Sequence, residues 1–236
     1  MRTRISVAIG LIGLLALLIV GPGPQVGAQG GGTIVGEVKY QGAPPAAETL
    51  KVTKDKEVCG KDKASPEFVV GPDKGIQWAV VSLADAKGSP PKPAKKPALD
   101  QKGCEFHPHV LLVPAGAEVD ILNSDGILHN IHTFSTANPP FNKSQPKFKK
   151  VIEAKFDKPE IVKVKCDVHG WMGGWVVVMD HPWHAVTDAK GTFKLENVPA
   201  GKHKVEVWHE TLGKVAKEVE VKAGAETRVS FELGKK

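Results

Sequence analysis

The sequence is poor in sulfur, in tyrosine and in long apolar runs. Among 236 residues it has three cysteines, three methionines and one tyrosine, against 25 glycines and 18 prolines. No stretch after Val20 is apolar and long enough to cross a bilayer, and few long helical patterns are present. Because glycine and proline interrupt the chain so often, short strands joined by many turns are expected.

The sequence also lacks the patterns of a nucleic-acid-binding protein or an enzyme. Its formal net charge is +6, and subtracting Arg2 and Arg4 leaves +4. No run of basic residues is interleaved with aromatic ones, so nucleic acid is not an expected partner. No general base stands in a pattern with a nucleophile. We therefore expect that the chain is not an enzyme by itself.

Residues 1–28 have the three parts of a secretory signal peptide. A positively charged start is followed by an apolar segment over residues 5–20, and Val26-Gly-Ala28 offers the small residues that a signal peptidase reads. No cysteine follows the apolar segment, which argues against a lipoprotein anchor. An uncleaved membrane anchor is the alternative, although the segment is short for a span. The sequence predicts a periplasmic or secreted protein with no membrane span after cleavage.

Three side chains that bind metals lie within seven residues, namely Cys166, His169 and Met172. Apolar alternation before and after them predicts a hairpin loop between two strands. A thiolate, an imidazole and a thioether form the donor set that copper prefers, with methionine as a weak axial ligand. Zinc favours four strong donors, and a thioether is a poor zinc ligand. One more histidine would complete a His2Cys site, and His129 is the upstream candidate.

Each of these residues alone has a simpler interpretation. A methionine such as Met172 commonly fills space in a core, and an isolated Cys166 would be interpreted as a buried free thiol. The prediction of a copper site therefore depends on the four side chains together.

The spacing of these ligands resembles that of the blue copper proteins, the cupredoxins. The resemblance is carried by Asn123-x5-His129-Asn130, by Cys166-x2-His169-x2-Met172, and by residues 106–116, which resemble the strand and turn that open the plastocyanin-like core. The short interval between the last histidine and the methionine is more similar to amicyanin than to plastocyanin. The resemblance covers about residues 104–180.

The resemblance implies a Greek-key β-sandwich that holds one copper ion cycling between Cu(I) and Cu(II). It implies that the Asn130 side chain ties the two ligand loops together and that the backbone N–H of Asn130 donates to the Cys166 sulfur. It also implies that His169 is an exposed ligand in a surface apolar patch, where electrons enter and leave. Trp171 is expected either to cover the site or simply to pack.

The pattern changes at about residue 181. The motifs Thr187-Asp-x-x-Gly-x-Phe193 and Val198-Pro-Ala-Gly201 resemble the carboxypeptidase regulatory-like module, a small transthyretin-like β-sandwich without catalytic residues. We predict an all-β protein, with a cupredoxin-like copper-binding domain at 29–180 and this module at 181–236. Because so few residues bury little surface, we expect the module to pack on the copper domain, with strand 33–40 as a candidate first strand.

An odd number of cysteines leaves one thiol outside any intramolecular bridge. With Cys166 assigned to the metal, Cys59 and Cys104 are predicted to form a disulfide, because an oxidising compartment favours that pairing. The alternative is that one of the two binds metal, since His107 and His109 follow Cys104 closely.

Two further features have open interpretations. A second copper site could be built from His107 and His109 with His132, His181 or His184, whereas His181 and His184 are otherwise expected at the domain junction and His209 at the surface. The polar, lysine-rich segment 138–150 is either a solvated loop or a docking patch for an acidic partner.

The function that these observations favour is that of an exported type 1 copper protein carrying single electrons between redox protein partners. The alternatives are a copper carrier or storage protein, an envelope binding module without redox activity, and a copper oxidase or reductase that would need a second metal site. The sequence does not predict the oligomeric state.

Overall fold

The computed structural model describes residues 30–84, 86–90 and 92–235, so the predicted signal peptide lies outside the described residues. Almost all of the regular structure is β-strand, which confirms the predicted all-β class. The strands are β1 Gly32–Tyr40, β2 Thr49–Leu50, β3 Lys63–Ala64, β4 Val80–Leu83, β5 Ala98–Lys102, β6 Glu105–His107, β7 Val110–Pro114, β8 Glu118–Asn123, β9 His129–Phe134, β10 Asn142–Gln145, β11 Val151–Lys155, β12 Glu160–Lys165, β13 Gly173–Met179, β14 His184–Val186, β15 Thr192–Val198, β16 Gly201–His209, β17 Gly213–Val221 and β18 Glu226–Leu233. A short helix α1 spans Lys56–Cys59, and a 3-10 turn spans Pro72–Lys74. In the part of the chain that the structure describes, no helix has the length and apolar character needed to cross a membrane.

Two sheets enclose the first hydrophobic core. A five-stranded sheet has the order β10-β9-β12-β13-β7, and a four-stranded sheet has the order β11-β8-β5-β6. Strands such as β8 alternate fully buried residues with more accessible ones, so one face of each sheet turns inward. The core between them includes Leu99, Ile121, Ile131 and Val164, all essentially inaccessible to solvent. Cys166 and Met172 belong to the same core.

Two other sheets enclose a second core. They have the orders β15-β1-β18 and β14-β4-β16-β17. Strand β1 lies between β15 and β18 and pairs in parallel with β18. Strand β4, which precedes the first sandwich in sequence, pairs with β14 and β16. The strand pairing thus crosses the predicted boundary at residue 180, and the domain division itself stays a prediction.

Apolar and polar contacts join the two sandwiches. Val80, Val110 and Val177 are buried together in a third cluster, against which Trp175 and Trp208 pack. These two indole rings meet edge to face at 4.9 Å between centroids. Strands β4, β7 and β13, from both sandwiches, therefore share one apolar junction, as expected for a small module that cannot bury enough surface alone.

Two segments differ from the sequence prediction. Residues 106–116 resemble one strand followed by a turn, but the structure has two strands there, β6 and β7, which belong to different sheets. Pro108 lies between them and has no N–H to donate to a ladder, so the strand ends there. The predicted loop 138–150 contains β10, which pairs with β9 at the sheet edge. Three of its four residues are exposed, so it lacks the apolar alternation that would have indicated a strand.

Candidate metal centre

The four residues predicted as metal ligands lie at the ends of three neighbouring strands. His129 begins β9, and Cys166 follows the last residue of β12. His169 and Met172 lie in the turn from β12 to β13. Antiparallel pairing of β12 with β9 and with β13 brings these strand ends to the same edge of the sheet.

The structure brings three of the predicted ligand atoms together. The Sγ atom of Cys166 lies 3.7 Å from Nδ1 of His129 and 3.7 Å from Nδ1 of His169. The two Nδ1 atoms lie 3.0 Å apart. All three residues are buried. A sulfur and two nitrogens at these separations surround a point that suits a metal ion with bonds of roughly 2.0 to 2.3 Å, so the residues present fit a His2Cys metal site.

Met172 is buried in the same core and is linked to the other ligands through its backbone. Its carbonyl oxygen accepts the N–H of Cys166 at 3.2 Å, and its own N–H donates to the carbonyl of His169 at 2.8 Å. These two bonds close a tight turn from residue 166 to residue 172. The turn keeps the backbone of Met172 next to those of Cys166 and His169, and the role of Met172 as an axial ligand stays a prediction.

Each of the two imidazoles in the triangle is held by a carboxylate on its outer nitrogen. Nε2 of His129 lies 2.9 Å from Oδ2 of Asp125, and Nε2 of His169 lies 2.9 Å from Oδ2 of Asp55. A carboxylate that accepts the Nε2–H fixes the tautomer and leaves Nδ1 free to bind a metal. Neither carboxylate was predicted as part of the site. Asp125 lies four residues before His129, within the motif Asn123-x5-His129, whereas Asp55 is too far from His169 in sequence to give any signal.

His169 is not the exposed ligand that the resemblance implies. Its side chain is 0 % exposed, because the segment that contains Asp55 and helix α1 lies over it. Trp171 covers it from another direction, with ring centroids 5.1 Å apart and an indole N–H that donates to the carbonyl of Cys104. The side of the site where the resemblance places electron exchange is therefore closed by protein.

Asn130 connects the two ligand loops as the resemblance implies. Its Oδ1 atom accepts the backbone N–H groups of Asp167, at 2.7 Å, and Val168, at 3.2 Å. Its Nδ2 atom donates to Asn142 in the edge strand β10. The loop that follows Cys166 is therefore fixed relative to β9, which keeps the thiol and the His129 ring in register.

The ionisation of the ligands in the metal-free chain is set mainly by burial. Burial raises the pKa of the Cys166 thiol, although backbone N–H groups of Asn130, His169 and Val168 favour the thiolate. Burial lowers the pKa of His129, and its hydrogen bond to Asp125 opposes this only in part. His129 is therefore neutral near pH 7, as a ligand must be. Binding of a metal must displace the Cys166 proton, so metal affinity falls at low pH.

Cys59 and Cys104 form a disulfide, which confirms the predicted pairing. The bridge joins helix α1 to the turn between β5 and β6, and it lies against the metal centre. The sulfur atoms of both cysteines and a ring nitrogen of His169 lie within 4.8 Å of one another. Asp125 accepts the backbone N–H groups of Gly103 and Cys104, which fixes the same turn to the carboxylate that holds His129.

The other histidines do not join this centre. His132 bonds to Asp167 through Nδ1 and stacks on Phe134 at the surface. His109 is buried at the junction, where it bonds to Glu210, and the same carboxylate accepts the indole N–H of Trp175 at 2.8 Å.

His181 and His184 lie near each other, with ring centroids 5.8 Å apart. His209, expected at the surface, is instead 1 % exposed in the second core. Among the described residues, no group of three potential ligands includes His107, His109 or His132.

The chain resembles copper proteins of known structure over part of its length. A Cu-containing nitrite reductase from Thermus scotoductus has 23% identity and a TM-score of 0.34, and the match covers 40% of this chain and 24% of the reductase. A purple cupredoxin from Nitrosopumilus maritimus has 22% identity and a TM-score of 0.31, covering 36% of this chain and all of that one. An amicyanin variant solved with Cu(I) has 16% identity and a TM-score of 0.33, covering 42% of this chain and 98% of amicyanin.

These matches extend to less than half of the chain, which itself spans only about a quarter of the reductase. No protein-family model matches the sequence, and no curated protein matches it.

Proposed function

We propose that the chain is an exported type 1 copper protein that carries single electrons between redox protein partners and is not itself an enzyme. The observation that carries the proposal is the triangle formed by Cys166, His129 and His169, with edges of 3.7, 3.7 and 3.0 Å. Type 1 copper centres use two imidazoles and one thiolate, with a methionine as a weak further donor. The buried triangle and the methionine in the same turn offer this set. Copper bound there would supply one-electron chemistry.

The chain's own residues would hold the site in one geometry. Asp125 and Asp55 orient the two imidazoles, and Asn130 fixes the loop that carries Cys166. Because all the donor atoms are buried, water is excluded from them. A site held by hydrogen bonds from several strands changes little when its charge changes, which suits rapid electron transfer.

The proposed partner is an acidic redox protein, and segment 138–150 together with Leu128 is the surface offered to it. Lys143, Lys147, Lys149 and Lys150 are exposed there, and no acidic residue occurs between Gly126 and Ile152. Phe148 is 80 % exposed and Leu128 is 48 % exposed. Pairing of Gln145 with His129 places this basic and apolar surface beside the start of β9. A surface that exposes both lysines and large apolar side chains suits a partner with carboxylates around an apolar contact.

A periplasmic or secreted location is part of the proposal. The Cys59–Cys104 disulfide supports it, since such bridges persist in oxidising compartments. The alternative function is a copper carrier or storage protein, which would use the same ligands but exchange the metal. Complete burial of His169 and Cys166 argues against rapid exchange in the disulfide-bonded form.

Addition of Cu(II) to the purified protein tests the proposal. We expect one copper per chain and an intense absorption band near about 600 nm from thiolate-to-copper charge transfer. Cys166→Ser should remove the band, whereas Cys59→Ser/Cys104→Ser should leave it, because Cys166 is then the only cysteine and supplies the thiolate. A colourless complex, or a band that persists in Cys166→Ser, would contradict the proposal. Rapid loss of copper from the disulfide-bonded protein to a chelator would favour the alternative function of a copper carrier.

A further inference from the structure

One segment covers the metal centre, and it is attached at few points. This segment, here called the strap, comprises residues 49–64 and includes β2, helix α1 and β3. Between residues 51 and 60 only Val52 and Cys59 are buried, and Asp55 is partly buried. Val52 inserts into the first core, Cys59 is bonded to Cys104, and Asp55 bonds to His169. Leu50 and Lys63 are partly buried, and Lys63 pairs with Glu105 in β6, whereas the remaining side chains of the strap face solvent.

The local structure of Asp55 indicates that its side chain serves the metal centre. Asp55 precedes helix α1, where an aspartate usually accepts a backbone N–H of the first turn. It makes no such side-chain bond, although its carbonyl oxygen accepts the N–H groups of Val58 and Cys59. Its backbone is in the left-handed region, at φ 49°, which is uncommon for a residue other than glycine. The carboxylate thus bonds to His169 instead of capping its own helix.

The disulfide holds the sulfur atoms of Cys59 and Cys104 beside His169, a predicted metal ligand. The sulfur atoms of Cys59 and Cys104 and a ring nitrogen of His169 all lie within 4.8 Å of one another. All three residues are buried. Two thiolates and an imidazole are a soft donor set of the kind that selects Cu(I), but a disulfide offers no thiolate.

We propose that Cys59, Cys104 and His169 form a redox-controlled Cu(I) acceptor site. The Cys59–Cys104 disulfide also closes the strap over the metal centre of His129, Cys166 and His169, which is called the main centre below. In the oxidised form the strap blocks metal exchange. A dithiol reductant opens the bridge: two electrons and two protons pass from the dithiol to Cys59 and Cys104, the S–S bond breaks, and the dithiol becomes a disulfide. Each thiol then releases its proton when it binds Cu(I).

This inference rests on the proposed function only for the identity of the metal. The Cys166→Ser variant tests the acceptor site separately from the proposed function, because it removes the thiolate of the main centre and retains Cys59 and Cys104. The variant is reduced with a phosphine, the reductant is removed under argon, and Cu(I) is titrated in competition with a colorimetric chelator. We expect the reduced variant to bind one Cu(I) that the oxidised variant does not bind. Cys59→Ser/Cys104→Ser added to Cys166→Ser should abolish that binding.

Equal Cu(I) binding by the oxidised and reduced forms, or binding that survives loss of both cysteines, would overturn the acceptor site. If the reduced Cys166→Ser variant binds Cu(I) while the wild type gives no charge-transfer band with Cu(II), the electron-transfer proposal fails and the acceptor site stands.

Alkylation of Cys166 by iodoacetamide in the metal-free protein tests closure of the strap separately. We expect the rate to rise at least tenfold in Cys59→Ser/Cys104→Ser, and to rise also in Asp55→Ala, which keeps the disulfide. Lys51→Ala is the matched control, because it removes only the exposed ion pair between Lys51 and Asp62 within the strap. Near-UV circular dichroism verifies that each variant is folded. Unchanged alkylation in both strap variants would overturn the closure.

Discussion

Asp125 accepts a hydrogen bond from His129 at 2.9 Å, and the same carboxylate accepts the backbone N–H of Cys104 at 2.8 Å. One side chain thus fixes a predicted metal ligand and the turn that carries the disulfide. Asp55 has the corresponding position on the other ligand imidazole, in the segment attached by the other cysteine. The disulfide and the two carboxylates therefore form one outer layer around the metal centre.

Replacing Asp125 should weaken copper binding. Asp125→Asn removes the charge that holds the Nε2–H of His129, and loss of such an outer partner typically costs 10- to 100-fold in affinity. We expect a decrease of about tenfold in the competition of the protein with a chelator for copper. Asp157→Asn is the control, because Asp157 pairs with Lys155 at the surface, away from the site. An affinity equal to that of the control would show that Asp125 serves the turn alone.

Replacing Met172 should change the electronic properties of the site but not the fold. Met172→Leu conserves volume in a buried position, so the free energy of unfolding should fall by less than about 1.5 kcal/mol. If Met172 is the axial ligand, its loss favours Cu(I), and the reduction potential should rise. Voltammetry and the visible spectrum measure this. A potential and a spectrum identical to those of the wild type would assign Met172 to packing.

Stability of the metal-free protein should decrease in mild acid because of His209. Burial lowers the pKa of this imidazole to about 4, and Glu210 opposes the shift only weakly. The unfolded chain, with an ordinary pKa near about 6.5, therefore binds more protons between pH 6.5 and pH 4. The contribution of neutral His209 is complete above about pH 6.5 and is lost as the pH falls toward 4.

Urea unfolding measured at about pH 7.5 and about pH 5 should show this loss as about 2 kcal/mol from His209 alone. His209→Gln removes the proton-binding ring and should make the decrease smaller. Burial also lowers the pKa values of His181 and His184, so part of the decrease should remain in that variant. A His209→Gln protein with the full decrease would place the effect elsewhere.

The basic surface should govern reaction with anionic electron acceptors. We expect Lys147→Glu/Lys149→Glu to slow oxidation of the Cu(I) protein by hexacyanoferrate(III) severalfold at low salt, because both lysines attract the anion. The difference should disappear at high ionic strength, where surface charges are screened. Lys217→Glu/Lys222→Glu in the C-terminal part offers a matched control with the same change in net charge. Equal slowing by both pairs would indicate a net-charge effect and no docking surface.

Much of the fold was predictable because strands carry a local signal. The alternation of apolar residues along β8 and β12, and the turn residues between strands, indicated an all-β protein. Strand β10 was missed because an exposed edge strand needs no apolar face. The pairing of β4 with β14 and β16 was also missed, because alternation indicates that a strand exists and gives no information about its neighbours.

The sequence by itself indicated the predicted donor set, because the identities and spacing of Cys166, His169 and Met172 are local properties of one turn. It also indicated His129 as the fourth candidate. Only the tertiary structure decided that His169 is covered, since its cover comes from Asp55, 114 residues away in the chain. Burial and hydrogen bonding depend on which distant segments the fold brings together, and no local pattern of residue types encodes that contact.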